Sequence, residues 1–275
     1  MKTIIVPTDF SKNAFVAGQY AASLAREMGA KVLFYHVYIV LYSGFEETGV
    51  SVKHVEWADE EASGAMEKLL GTIREQYPDV QIDGEYVRGF MIDALMERMK
   101  SDSNIQLVVM GTKGVTNVAE SIFGSTTYEV LKKSQVPVLV IPEDTPDYAL
   151  KHVGFFSDYN IHEIDALKLM TDLLTPIKTF DVLHFIKQGA TANAERRESW
   201  KLKASAALGD QPLEIKEVPV DKVDLHSVTT LATDQQLDLM VFTRPQKPFF
   251  EKIFGKSLTK AVANYPVIPS LFIKE

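Results

Sequence analysis

The chain has 275 residues, 46% of them hydrophobic, enough apolar material for one large buried core or two medium ones. A net charge of −8 argues against indiscriminate binding to nucleic acid or anionic membranes, and the lack of any cysteine excludes disulfides, thiol catalysis and thiolate metal sites. No leader-like N-terminus and no apolar run of about 18 residues is visible, so a soluble, cytoplasmic protein that spans no membrane is expected.

Residues 2–7 (KTIIVP) read as a buried strand. The turn Thr8-Asp9-Phe10-Ser11 follows, and residues 11–28 carry Phe15, Ala22, Leu24 and Ala25 at helical spacing, with Gly29 as the C-terminal cap. Residues 31–37 form a second strand, 38–51 an aperiodic loop with two glycines, and 52–77 a long amphipathic helix stopped by Pro78. Residues 80–87 alternate as a third strand, Gly89 turns the chain, and 91–100 read as a helix. The run 105–110 (IQLVVM) is a fourth buried strand that breaks at Gly111. Residues 125–134 open with hydroxyl residues suited to a helix cap, and 136–141 (VPVLVI) close a fifth strand. Strands alternating with helices imply a parallel sheet with right-handed crossovers.

An acidic, proline-containing stretch at 143–148 reads as a linker, after which the plan repeats. Strands are expected at 152–156, 179–185, 214–220 and 237–242, with helices at 161–174 and 223–236 and a last strand around Leu271-Phe272. Ile122-Phe123-Gly124 matches Ile253-Phe254-Gly255 at an offset of 131, which sets Phe242 opposite Gly111, Pro245 opposite Gly114 and Lys256 opposite Ser125. Phe and Pro there would deny a phosphate the bare backbone and N–H donor that glycines offer. The expected fold is therefore α/β, with two tandem five-stranded parallel-sheet domains at 1–143 and 149–275 and helices on both faces. They are expected as two separate sheets related by a two-fold axis through their final strands, an intrachain pseudo-dimer.

The stretch most suggestive of function is Gly111-Thr112-Lys113-Gly114, followed after nine intervening residues by Gly124-Ser125-Thr126-Thr127. A buried strand, a glycine loop and a helix N-terminus in that order form a setting in which α/β proteins hold phosphate. A lone glycine here would be read as a tight turn. The P-loop is excluded, because Gly255-Lys256-Ser257 has Phe250 where that motif needs its first glycine.

Gly-x2-Gly-x9-Gly-Ser, with Pro7-Thr8-Asp9-Phe10-Ser11 at the end of the first strand, resembles the nucleotide signature of the universal stress protein family in tandem form. The resemblance implies a Rossmann-like strand order 3-2-1-4-5 and a ligand at the switch point between strands one and four. It implies ATP or ADP as the ligand, with magnesium left open as a companion. Pro7, Thr8 and Asp9 would line the site, Asp9 facing the ribose hydroxyls, and backbone groups of Val37 would meet the adenine edge. Met110, Gly111, Gly114, Gly124, Ser125 and Thr126 would surround the phosphates, with Lys113 able to add a charge. Capping the first helix together with Ser11 is an equal reading for Asp9, and a solvated loop charge is the simpler one for Lys113.

His36 and His184 fall at matching strand positions and read as structural, hydrogen-bonded histidines, with no neighbouring ligand set. Trp57 and Trp200 fall in the second-helix region of each half, where packing is expected, and Asp59-Glu60-Glu61 reads as a solvated helix face. Three functions remain: a nucleotide-binding stress-response regulator with an unidentified protein partner, a slow ATPase or phosphoryl- or adenylyl-transfer enzyme, or a nucleotide-free scaffold. The first is favoured over the enzyme, because no base, Walker lysine or motif-placed arginine accompanies the loop. Association of whole chains into a homodimer is left open.

Overall fold

The strands of the sheet's middle are predominantly apolar and buried, as expected where helices cover both faces. The computed structural model describes residues 1–40, 48–112, 125–145, 148–174, 177, 179–187, 194–209, 212–244, 262 and 267–274. In the first half these form β1 (Thr3–Pro7), α1 (Lys12–Met28), β2 (Lys31–Tyr38), α2 (Thr48–Gln76), β3 (Ile82–Arg88), α3 (Met91–Ser101), β4 (Ile105–Thr112), α4 (Ser125–Lys133) and β5 (Val138–Pro142). The second half supplies β6 (His152–Phe156), α5 (Glu163–Leu173), β7 (Thr179–Lys187), α6 (Ala194–Leu208), β8 (Glu214–Val220), α7 (Leu225–Asp234), β9 (Leu239–Arg244) and β10 (Ser270–Lys274). Ser11 caps α1 by accepting from the Ala14 amide, and Gly29 ends it at φ 60°, where glycine carries no Cβ penalty.

The sheet order is β3-β2-β1-β4-β5-β10-β9-β6-β7-β8, so the expected 3-2-1-4-5 order occurs in the first half and its counterpart in the second. All pairings within each half are parallel. The expectation of two separate sheets is corrected. β5 and β10 pair antiparallel, with Val140 opposite Ser270, Leu139 opposite Leu271 and Val138 opposite Phe272. Each half ends in a short apolar strand with one unpaired edge, and joining the two edges satisfies both sets of backbone groups. Two core layers, each with residues of both halves, lie on the two faces of the sheet, one under α1, α2, α5 and α6 and the other under α3, α4 and α7.

Two local boundaries also differ from expectation. β4 does not break at Gly111, because Gly111 and Thr112 continue the ladder opposite Ile141 and Pro142. α2 begins at Thr48, four residues inside the stretch expected to be loop, where the sequence has no period to mark the change.

The register corrects the 131-residue offset where it matters most. The Thr8 amide donates to Tyr35 O at 3.0 Å and the Ser157 amide to Leu183 O at 2.9 Å, so Thr8 and Ser157 are equivalent, and with them Ile4 and Val153. Ile4 lies opposite Leu107, and Val153 lies opposite Leu239. Leu107 is thus equivalent to Leu239, an offset of 132, which makes Thr243 the counterpart of Gly111 and Phe242 that of Met110. Met110 and Phe242 accordingly face the same core layer. The 131 offset rests on a match beyond the strand, and one residue of length difference between the two is enough to turn every side chain to the opposite face. The Gly114–Pro245 and Ser125–Lys256 comparisons involve residues outside those described.

Candidate functional site

In this topology β1 and β4 are neighbours whose chain connections leave in opposite directions, so a crevice opens beyond their C-terminal ends. The β1–α1 connection there is a pair of side-chain-closed turns. Thr8 Oγ1 accepts from the Phe10 amide at 3.0 Å, and Asp9 Oδ1 accepts from the Ser11 amide at 3.0 Å and from the Ser11 hydroxyl. Short hydroxyl and carboxylate side chains favour this local bonding. Asp9 is exposed at the tip. It thus supports the Ser11 cap while standing at the crevice.

Phe10 adopts φ 61°, a left-handed conformation costing a bulky residue about 1–2 kcal/mol. The imidazole of His36 holds it there. Its Nδ1 lies 2.8 Å from Thr8 O, and the Phe10 ring lies against it at 4.4 Å between centroids. A carbonyl only accepts, so Nδ1 carries the proton. His36 is a bonded structural histidine, in line with the sequence reading, and so is His184, whose Nδ1 lies 2.8 Å from Ser157 O.

Gly111 is essential for a reason the sequence did not reveal. A Cβ at that position would sit 2.1 Å from Asn13 O, 2.4 Å from Asn13 C and 2.9 Å from Ala14 N, all backbone atoms of the first turn of α1. The glycine admits the α1 N-terminus to the end of β4, rather than leaving open space above itself. In the second half α5 starts seven residues after β6 ends, against five for α1 after β1, and Thr243 stands at the position equivalent to Gly111.

Pro7 and Met110 are buried, Val37 is half-buried opposite Val87, and Thr126 is exposed in the first turn of α4, whose helix begins at Ser125. Lys113, Gly114 and Gly124 lie outside the described residues. At the rim Lys12 pairs with Glu143 at 2.9 Å, which raises the Lys12 pKa chiefly through that hydrogen bond.

The second half repeats the turn and then closes it. Ser157 Oγ accepts from the Tyr159 amide at 2.9 Å, Asp158 Oδ1 from the Asn160 amide at 3.0 Å, and Tyr159 has φ 60° with its ring 4.1 Å from His184. Asp158, unlike Asp9, is buried. Glu163 accepts from the Asp158 amide at 3.0 Å and bonds the Ser157 hydroxyl, while α6 supplies Arg196, 3.7 Å from Asp158, and Trp200, whose indole N–H donates to Asn160 O at 3.0 Å. Burial, then the charge of Asp158, pushes the Glu163 carboxyl well above its ordinary range. Trp200 is 2% exposed and packs as expected; Trp57 is 64% exposed, which corrects its reading as a packed residue. Phe10 stands in the sequence turn but has no role assigned there, and Asn13, Glu163 and Arg196 carry no sequence signal because none stands in a motif.

A model of the universal stress protein family matches residues 1–142. The chain belongs to this family. A universal stress protein of Methanocaldococcus jannaschii is 31% identical over 143 residues, covering 51% of this chain and 81% of the relative. One from Thermus aquaticus is 30% identical over 145 residues, covering 51% and 98%. These sequence relatives span about half of this universal stress protein. The fold as a whole resembles the crystal structure of a universal stress protein from Archaeoglobus fulgidus, with a TM-score of 0.72 and 12% identity over 99% of this chain and 98% of that one. Among the described residues no helix is long and apolar enough to cross a membrane.

Proposed function

We propose that residues 1–143 bind one adenine nucleotide at the crevice beyond β1 and β4, and that residues 149–275 form a second unit that serves as their structural mate. The observation that carries the reading is the contrast between two equivalent carboxylates. Asp9 is held out into solvent, whereas the Asp158 carboxylate is buried, accepts from the Asn160 amide and faces Arg196 at 3.7 Å.

The groups at the first crevice fit a nucleotide. Asp9 offers a carboxylate to vicinal ribose hydroxyls, and the end of β2 at Val37 offers backbone groups to an adenine edge. Close packing against Gly111 brings the α1 N-terminus, which has no acidic residue in its first turn, to the same place. In this reading Lys113, Gly114, Gly124, Ser125 and Thr126 hold the phosphates, and Gly111 acts indirectly by admitting α1. The nucleotide then regulates the protein through binding rather than turnover.

Calorimetric titration of the full chain with ATP and with ADP tests this. One site per chain is expected; none, or two equivalent sites, overturns the reading. Turnover at saturating ATP would move the protein to the enzymes.

A further inference from the structure

We propose that His36 is the positioning residue of this site, the group that fixes the turn presenting Asp9 to the sugar. The inference rests on the nucleotide reading above. Asp9 is gripped on both sides by one imidazole: the carbonyl of the residue before it meets His36 Nδ1 at 2.8 Å, and the ring of the residue after it lies 4.4 Å from the imidazole. That grip stabilises the positive φ of Phe10, which a phenylalanine would otherwise avoid. His36 is braced in turn. Tyr38 lies parallel to it within 10° at 5.9 Å, and the Tyr38 hydroxyl bonds Asp59 on α2.

The second half supplies an internal control. His184, Ser157 O and Tyr159 reproduce the clamp at 2.8 Å and 4.1 Å, around a carboxylate that is buried and already engaged. The clamp therefore has a folding role in both halves, and only in the first does it also set the direction of an exposed carboxylate. A carboxylate that must meet two vicinal hydroxyls loses affinity when its turn can move, since a polar contact weakens steeply off its geometry.

The test compares His36→Leu, His36→Asn and His184→Leu in the full chain, reading dissociation constants for adenosine and ATP and the melting temperature. Asparagine keeps an N–H donor at the position of Nδ1. Expected results are a loss of at least about tenfold for both ligands in His36→Leu, recovery to within about threefold of wild type in His36→Asn, and unchanged affinity in His184→Leu despite a similar loss of stability. Wild-type affinity in His36→Leu, equal losses in His36→Leu and His184→Leu, or failure of asparagine to rescue would each overturn the proposal. If His36→Leu does not fold, the imidazole 15N shifts of the wild type decide: nucleotide must move those of His36 and leave those of His184. No binding by the wild type would instead sink the nucleotide reading itself, and this inference with it.

Discussion

Replacing Gly111 by alanine adds one methyl group where the structure has no room for it. The new Cβ would lie 2.1 Å from Asn13 O and 2.4 Å from Asn13 C, against a normal contact of about 3.5 Å. Backbone of a capped helix cannot rotate aside as a side chain can, so the first turn of α1 must shift away from β4 or unwind. Overpacking of this kind costs typically 1–3 kcal/mol, and a backbone clash belongs at about 3 kcal/mol. For a chain of this size that lowers the melting temperature by roughly 6–12 °C. Gly84 is the matched control, a strand glycine whose added Cβ would meet Leu70 Cδ1 and Met66 Sδ at 2.8 Å. Those are ends of flexible side chains, and a methionine adapts readily, so Gly84→Ala should stay within about 1 kcal/mol of wild type. Thermal melts of both variants without nucleotide check the difference. If Gly111→Ala melts with the wild type yet loses nucleotide, the space at residue 111 belongs to a ligand, and the helix-approach argument is wrong.

Under the proposed function, Asp9→Ala should weaken adenosine and ATP alike by about 1–3 kcal/mol, whereas Gly114→Val should weaken ATP and spare adenosine. Equal losses for both ligands in Gly114→Val would remove the phosphate role of the loop. Glu163 predicts a pH dependence. Its folded pKa is raised above the ordinary 4.5, so the folded form holds the extra proton; its contribution is full below 4.5 and is lost as pH rises through the raised value. Glu163→Gln should flatten that alkaline-going decline in denaturation free energy, and an unchanged pH profile would place the proton elsewhere. Trp200→Ala should cost about 3–5 kcal/mol in chemical denaturation, and Trp57→Ala less than about 0.5 kcal/mol. Similar costs for the two would contradict their difference in burial.

Strand and helix alternation, the caps at Ser11 and Gly29 and the repeat were legible in the sequence because they depend on local periodicity and on residues with strong backbone preferences. The turn at Thr8–Ser11 was legible for the same reason, since its hydroxyl and carboxylate groups close bonds only two residues away. The tertiary structure alone decided how these pieces meet. The junction of β5 with β10 turns two expected sheets into one, a choice made by two open edges rather than by either strand's composition. The 132-residue correspondence of β4 with β9 is fixed by ladder partners, and no match across a loop measures a register. Gly111 read as a place for phosphate, but the approach of Asn13, 98 positions earlier in the chain, is what requires it. Trp57 and Trp200 occupy the same region of the repeat, yet among the described residues only Trp200 finds a buried carbonyl for its indole N–H. Local preference extends over a few residues, whereas register, helix approach and burial are set by atoms far away in the chain, which is why they were not legible in the sequence.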